Sequence, residues 1–133
     1  LPGQKFIFTN GTTGHADRVA ERLGVRHLFT DVFDIVAAGY VPKPNPDVYP
    51  AMLKKFDIDA NRSVFFEDLA RNLAPARKLG MKTVLVHHAD DDGTGHVGLN
   101  GSSPMQDQNF IDHRTTDLTH FLNSVLQALT LEQ

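Results

Sequence analysis

The chain has 133 residues, a length that fits one domain of ordinary size with a buried core. Apolar residues make up 41% and charged residues 22%, the balance of a soluble globular protein. A net charge of −3 gives no general reason to expect a nucleic acid or a membrane as partner. Cysteine is absent, which excludes disulfides and thiolate chemistry and is compatible with the cytoplasmic location that we expect.

The first predicted elements are a strand and a helix. Residues 5–9 form a short apolar run that stops at Asn10 and Gly11, as a buried strand does at its carboxyl end. Apolar residues then recur at helical spacing over residues 15–23, and Gly24 predicts the end of that helix. The chain is therefore predicted to begin with a β-α unit.

The middle of the chain is predicted to repeat this alternation. Residues 34–38 form a weaker strand-like stretch. Asn45 is typical of an N-cap and Pro46 of a first helical position, so a second helix is predicted to begin there. Its predicted buried face consists of four apolar residues, Val48, Met52, Leu53 and Phe56.

Another strand-helix-strand segment follows. Residues 63–66 form an apolar strand and residues 81–86 form a third one. Between them a helix is predicted over residues 70–79, which Pro75 can kink and Gly80 ends. Strands separated by helices of this length indicate βαβ units, and therefore an α/β fold with a parallel sheet.

The remainder of the chain contains a long loop and a final helix. Residues 87–113 are rich in Gly, Asp and Ser without a clear period, which favours a long surface loop or insertion. An amphipathic helix is predicted over residues 117–130. We see no internal repeat, and residues 1–133 are interpreted as a single α/β domain.

Groups suited to phosphate follow the first predicted strand. Thr9 can donate its hydroxyl to a phosphate oxygen, and the amides of Asn10 and Gly11 can add to it at the strand-to-helix turn. Lys43, in a loop before a helix, supplies a compact positive charge for the same oxygens. Alone, residues 9–11 could be an ordinary turn and Lys43 a solvated surface lysine. Together, these residues predict a site for a small phosphorylated substrate.

Two adjacent carboxylates follow the strand at residues 63–66. Glu67 and Asp68 are hard oxygen ligands suited to Mg²⁺, which usually takes only one or two carboxylates together with phosphate and water. They could instead simply cap the next helix. Because ligands bind at the carboxyl ends of parallel strands, we expect the carboxylate pair, Thr9 and Lys43 to lie at one edge of the sheet.

These segments resemble three motifs of the haloacid dehalogenase superfamily. Residues 8–11 look like motif II, Lys43 with the proline after it like motif III, and residues 65–73 like motif IV. The spacing and the stretch over residues 78–86 strengthen the resemblance. The sequence of motif IV is most similar to that of the pyrimidine 5′-nucleotidase branch.

The resemblance implies a fold and a role for each candidate residue. The implied fold is a three-layer α/β structure with a parallel, Rossmann-like sheet. The implied activity is Mg²⁺-dependent hydrolysis of phosphomonoesters, with nucleoside 5′-monophosphates as substrates. Thr9 would hold the transferring phosphoryl group, and Lys43 would stabilise it together with the nucleophile. Asp68, with Glu67 beside it, would hold Mg²⁺, and Asn72 takes a supporting role at a position that is acidic in many relatives.

The family's nucleophile and general acid are two aspartates in an Asp-x-Asp motif on a strand before motif II, and in this branch a helical cap lies between the two motifs. No such motif precedes Thr9 here, and the chain begins abruptly at Leu1, so we expect it to lack the first strand and the cap. The expected partner is an upstream segment of the same protein that carries both. The isolated chain is therefore predicted to be an inactive fragment.

One short sequence matches the missing Asp-x-Asp motif. Residues 90–94 read Asp-Asp-Asp-Gly-Thr, but His87 and His88 separate them from the strand that ends at Val86. Loop-like residues follow, and the resemblance places that strand toward the edge of the sheet. We interpret the run as an acidic turn.

Other functions stay open at this point. Hydrolytic dehalogenation uses the same nucleophile without a metal, and the Glu67 and Asp68 pair argues against it because adjacent like charges need a cation. A non-catalytic phosphate-binding or regulatory remnant is another alternative. His87, His88 and His96 suggest zinc only weakly, because cysteine is absent and these residues lie in a predicted loop.

Overall fold

The computed structural model describes residues 1–90 and 108–133. The chain forms two compact units, one of Pro2–Asp57 and one of Ile58–Gln133 together with Leu1. Each unit is built from parallel strands and helices, which confirms the predicted α/β class. Within the described ranges, no helix is long and apolar enough to cross a membrane.

The unit of residues 2–57 contains a two-stranded parallel sheet. Strands β1 (Phe6–Phe8) and β2 (Asp31–Phe33) pair in parallel, and helix α1 (Thr13–Arg22) lies between them in the chain. Helix α2 (Val48–Phe56) follows. Aromatic rings that stack or meet edge to face pack this unit: Phe6, Phe8, Phe33, Tyr49 and Phe56.

Strand β2 lies earlier than the sequence predicts. The prediction of a strand over residues 34–38 is wrong, because residues 35–40 form turns and β2 ends at Phe33. The Asp34 carboxylate accepts a hydrogen bond from the Ala37 amide at 2.9 Å. An aspartate that binds a nearby main-chain amide offers the backbone an alternative to a strand, so a turn forms.

Helix α2 begins two residues after the predicted start. The sequence predicts Asn45 as the N-cap and Pro46 as the first helical residue, but the helix begins at Val48. The Asn45 Oδ1 atom instead accepts from the Asp47 amide at 3.0 Å. This local side-chain turn uses the capping oxygen before the helix starts.

The unit of residues 58–133 contains a three-stranded parallel sheet in the order β3-β4-β5. Strand β3 (Val64–Glu67) pairs with β4 (Lys82–Val86), which pairs with β5 (His113–Thr115). Helix α3 (Leu73–Lys78) connects β3 to β4, and helix α4 (Leu118–Leu131) ends the chain. The buried apolar residues of this unit are Phe65, Ala70, Leu73, Ala76, Met81, Val84 and Leu85.

Strand β5 is not predicted from the sequence. Residues 87–113 read as a loop, and residues 91–107 lie outside the part of the chain that the structure describes. The strand is short and polar, and long-range hydrogen bonds align it with β4. Asp112 Oδ2 accepts from the Thr83 amide at 2.9 Å, and the Asp112 amide donates to Thr83 Oγ1 at 3.1 Å.

Pro75 lies inside the first turn of α3. The sequence predicts one helix over residues 70–79 that the proline can kink. In the structure Ala70–Asn72 form a 3₁₀ turn and the α-helix starts at Leu73. In the first turn the missing N–H of proline has no intrahelical acceptor, so the residue is accommodated there.

Candidate active site

The turn that follows β1 is held by main-chain bonds to the end of β2. The Thr9 amide donates to the Phe33 carbonyl at 3.0 Å, and the Ile35 amide donates to the Gly11 carbonyl at 3.0 Å. Hydrogen bonding between the two segments therefore continues past the ends of the strands. It fixes the backbone that carries the predicted phosphate-binding residues.

The hydroxyl of Thr9 is oriented by a neighbouring residue of the turn. The Gly11 amide donates to Thr9 Oγ1 at 3.0 Å. A hydroxyl has one hydrogen to donate and two acceptor positions, so this bond leaves the O–H group able to donate to an anion. A Cβ atom at Gly11 would lie 3.3 Å from Thr9 Oγ1, so glycine leaves room for the hydroxyl.

Lys43 reaches the end of β1. Its Nζ atom donates to the Phe8 carbonyl at 2.8 Å and lies 4.8 Å from the centre of the Phe8 ring. The Phe8 carbonyl and the Thr9 N–H belong to one peptide group and point in opposite directions. Because the Thr9 N–H points to β2, the ammonium of Lys43 lies at the other edge of β1.

Asn10 joins the turn to the loop that carries Lys43. The Lys43 amide donates to Asn10 Oδ1 at 2.8 Å, and Asn10 Nδ2 donates to the Lys43 carbonyl at 3.2 Å. Four candidate residues, Thr9, Asn10, Gly11 and Lys43, therefore lie together within residues 2–57.

Beside this turn lies a buried carboxylate, Asp34, that the sequence-based prediction of the site does not include. Asp34 Oδ2 accepts from the Thr13 amide at 3.0 Å and from the Thr13 hydroxyl at 2.8 Å. The hydrogen bond from the Ala37 amide, followed by those from Thr13, lowers the pKa of Asp34 below its usual value. A signal for it exists in the sequence, because Asp34 directly follows an apolar pair, as Glu67 follows Phe66.

The carboxylates at the end of β3 have different surroundings. Glu67 Oε1 accepts from the amides of Asp68 and Leu69, at 3.1 and 3.3 Å, and so closes the turn after the strand. Asp68 is exposed, and Asn72 is buried at 2% exposure. These residues lie in the unit of residues 58–133. Their expected convergence with Thr9 at one sheet edge stays a prediction.

The donor chemistry after β3 fits Mg²⁺. The ion commonly takes one or two carboxylates and completes its shell with water or phosphate oxygens. Since Oε1 of Glu67 is engaged by two amides, the exposed Asp68 is the stronger candidate ligand. Across residues 1–90 and 108–133, no group of three or more His, Asp or Glu side chains is arranged to hold a metal ion.

The acidic and histidine-rich run near residue 90 is only partly described. Nδ1 of His87 lies 3.0 Å from the carbonyl of His88. His96 and residues 91–94 lie outside the described residues. The interpretation of residues 90–94 as an acidic turn therefore stays a prediction.

Comparison with known proteins points to one family of hydrolases. A sequence model of the haloacid dehalogenase-like hydrolases matches residues 2–80, which is more than half of the 133-residue chain. Over 46 residues the chain is 44% identical to bifunctional epoxide hydrolase 2 of Mus musculus, which covers 35% of this chain and 8% of that protein. Over 62 residues it is 32% identical to Protein CbbY of Cereibacter sphaeroides, which covers 44% of this chain and 27% of that protein.

Solved structures show the same fold. An L-2-haloacid dehalogenase superimposes with a TM-score of 0.67 at 22% identity, over 90% of this chain and 49% of the dehalogenase. The core domain of a Streptococcus pneumoniae TIGR4 protein, provisionally named a phosphoglycolate phosphatase, superimposes with a TM-score of 0.57 at 20% identity. That match covers 92% of this chain and 74% of the core domain. This chain thus spans about half the length of the dehalogenase and a small part of the curated relatives.

Proposed function

Because the chain belongs to the haloacid dehalogenase-like hydrolases, we propose that it forms part of a Mg²⁺-dependent phosphomonoester hydrolase. The observation that carries this proposal is the position of Lys43, whose Nζ atom lies 2.8 Å from the Phe8 carbonyl at the end of β1. Thr9 follows Phe8 directly, and its hydroxyl oxygen accepts from the Gly11 amide. An ammonium and a hydroxyl donor at one strand end suit a phosphate dianion.

In this proposal Thr9 and Lys43 bind and orient the phosphoryl group. The Thr9 hydroxyl donates to one phosphoryl oxygen, and the Lys43 ammonium places a compact positive charge beside the others. The main-chain amide of Asn10 is a further donor. Donors that are held in place before the reaction need no reorganisation during it, so they stabilise negative charge effectively as it develops.

Asp68, with Glu67 beside it, would hold Mg²⁺ in the intact enzyme. When bound, the ion supplies positive charge that polarises a phosphoryl oxygen. Glu67 maintains the turn that presents Asp68 through its bonds to two amides. Asn72 has a supporting role in the same segment. The proposal requires Asp68 and Thr9 to meet at one edge of the assembled sheet.

The nucleophile of the proposed enzyme lies on an upstream segment of the same protein, which also provides the cap. The chain covers 49% of the dehalogenase of similar fold, so such relatives have room for both parts.

Nucleoside 5′-monophosphates are the proposed substrates. The support is the wording of motif IV over residues 65–73, which is most similar to that of pyrimidine 5′-nucleotidases. Their 5′-phosphate is a phosphomonoester dianion, the group that Thr9 and Lys43 are proposed to bind. The cap would then recognise the nucleoside.

Hydrolytic dehalogenation is the second candidate, because an L-2-haloacid dehalogenase has a similar fold. At 22% identity, however, the likeness concerns the fold alone. Glu67 Oε1 accepts from two main-chain amides, so Asp68 is the proposed metal ligand of the pair. A metal requirement therefore separates the two candidate activities.

The proposal is tested on the protein that contains this chain and its upstream segment. Phosphate release from p-nitrophenyl phosphate and nucleoside 5′-monophosphates is compared with halide release from L-2-chloropropionate, each with and without Mg²⁺. We expect Mg²⁺-dependent phosphate release that Lys43→Met reduces strongly. Lys55→Met is the matched control, because the Lys55 ammonium also lies over an aromatic ring, 5.8 Å from the centre of Phe33. Metal-independent halide release without phosphate release would reject the phosphatase proposal.

A further inference from the structure

The side chain of Asn10 binds both main-chain polar groups of Lys43. Its Oδ1 atom accepts from the Lys43 N–H at 2.8 Å, and its Nδ2 atom donates to the Lys43 carbonyl at 3.2 Å. The two residues are 33 positions apart in the chain. One amide side chain therefore binds the N–H and the C=O of Lys43, as a neighbouring strand does for a residue in a sheet.

Lys43 needs such a partner because its loop contains no helix or strand. Residues 41–47 consist of turns and irregular backbone. A lysine side chain is long and flexible, so the position of its Nζ atom depends on where the main chain is held. Asn10 holds that main chain at one end, and the Phe8 carbonyl receives the Nζ atom at the other, at 2.8 Å.

We infer that Asn10 is a positioning residue that acts on the substrate through Lys43. This inference rests on the proposed function, in which Lys43 binds the phosphoryl group. Asparagine suits the task because its acceptor and its donor share one carbon and match the N–H and C=O groups of a single residue. Aspartate would lack the donor, alanine would lack both groups, and glutamine would be one carbon longer.

The kinetic test is a double-mutant cycle on Asn10 and Lys43 in the protein that includes the upstream segment. With p-nitrophenyl phosphate, Asn10→Ala should lower kcat/KM by about 10- to 10²-fold, the scale of a displaced catalytic group. In the Lys43→Met background the same change should alter kcat/KM by no more than about 2-fold, because the two residues act as one unit. A full effect of Asn10→Ala in both backgrounds would overturn the inference. If Lys43→Met itself had no effect, the proposed function of the lysine would fail instead.

A second measurement does not depend on activity. In the 133-residue chain, Asn10→Ala should speed hydrogen exchange of the Lys43 amide, because its acceptor is lost. Asn45→Ala is the matched control, since Asn45 Oδ1 accepts from the Asp47 amide in the same loop, and only that amide should exchange faster. Unchanged exchange at Lys43 in Asn10→Ala would overturn the inference whatever the enzyme hydrolyses. If Asn10→Ala fails to fold by circular dichroism, Asn10→Ser, which is too short to bridge both groups, replaces it.

Discussion

The hydroxyl and the amide of Thr13 both donate to one oxygen of Asp34, at 2.8 and 3.0 Å. This pair ties the first residue of α1 to the end of β2, beside the turn that carries Thr9. The Ala37 amide donates to the other Asp34 oxygen at 2.9 Å. The carboxylate therefore holds the two connections that follow β1 and β2 in one arrangement.

We predict that Asp34 makes the stability of the protein depend on acidity. Bonds from the Ala37 amide and from Thr13 lower its pKa in the folded state below the ordinary value of 3.8. Its stabilising contribution is therefore complete above that value and is lost as the pH falls through it toward the folded-state pKa. Asp34→Asn should lower Tm at neutral pH, and the difference from wild type should shrink as the pH falls below 3.8.

Thermal unfolding followed by circular dichroism between acidic and neutral pH checks this prediction. Asp31→Asn is the control, because Asp31 is exposed at the start of β2 and its carboxylate accepts only from the adjacent Val32 amide among the hydrogen bonds described. A Tm difference for Asp34→Asn that stayed constant down to strongly acidic pH would contradict the role given to its ionised form.

Gly80 and Gly24 provide a matched pair of substitutions. Both glycines have positive φ, 98° and 69°, where an L side chain is strained. A Cβ atom at Gly80 would lie 2.4 Å from Asn61 Oδ1, whereas one at Gly24 would meet no atom within 4 Å. The exposed Asn61 side chain can turn away, but the φ of Gly80 lies beyond the left-handed region of about 50–70° in which Gly24 lies. Gly80→Ala should therefore lower the free energy of unfolding by about 2 kcal/mol or more, and Gly24→Ala by about 1 kcal/mol. Urea denaturation measures both, and equal losses would contradict this difference in backbone strain.

Thr83 is fully buried, and its hydroxyl serves two partners. It donates to the Phe110 carbonyl and accepts from the Asp112 amide at 3.1 Å. Thr83→Val removes both bonds, so we expect a loss of about 1–3 kcal/mol in the free energy of unfolding. Thr130→Val should stay within about 0.5 kcal/mol, since this exposed hydroxyl bonds only to the Leu126 carbonyl of its own helix in the described structure. Urea denaturation of both variants decides the point, and a similar loss in the two would argue against the buried role of Thr83.

Local sequence patterns were sufficient to predict β1, β3 and β4. The runs at residues 5–9, 63–66 and 81–86 each contain or overlap an observed strand, because burial selects apolar residues wherever the strand lies. The shift of β2 and the strand β5 depend instead on hydrogen bonds of particular aspartates. Asp34 stops one strand, and Asp112 aligns another with a residue 29 positions away. No local periodicity contains such information.

The candidate site divides in the same way. The residue types and their order predict the chemistry of Thr9, Lys43 and Asp68. A phosphate requires hydrogen-bond donors and positive charge, and a hard cation requires carboxylate oxygens. The contacts that position them are tertiary. Asn10 meets Lys43 across 33 residues, and Thr13 meets Asp34 across 21 residues, and neither pairing is expected from spacing.

The activity of the 133-residue chain by itself tests the placement of the nucleophile. We expect no metal-dependent hydrolysis of p-nitrophenyl phosphate or nucleoside monophosphates above background, since a covalent mechanism needs the nucleophile that we propose lies upstream. Phosphate release is measured for the chain and for Asp90→Asn, which removes the first aspartate of the Asp-x-Asp match at residues 90–94. Turnover that Asp90→Asn abolishes would move the nucleophile to residues 90–94.

The central claim, a Mg²⁺-dependent phosphatase site with Asp68 as the metal ligand, is tested most directly by steady-state kinetics of Asp68→Ala. The protein that contains this chain and its upstream segment is assayed with p-nitrophenyl phosphate over a Mg²⁺ titration, and folding is checked by circular dichroism. The account predicts that kcat/KM falls by about 10² or more, the scale of losing a main electrostatic stabiliser, and that higher Mg²⁺ concentrations are needed. Thr9→Ala should cost less, because main-chain amides can still hold the phosphate. Near-normal activity with unchanged Mg²⁺ dependence in Asp68→Ala would contradict the account.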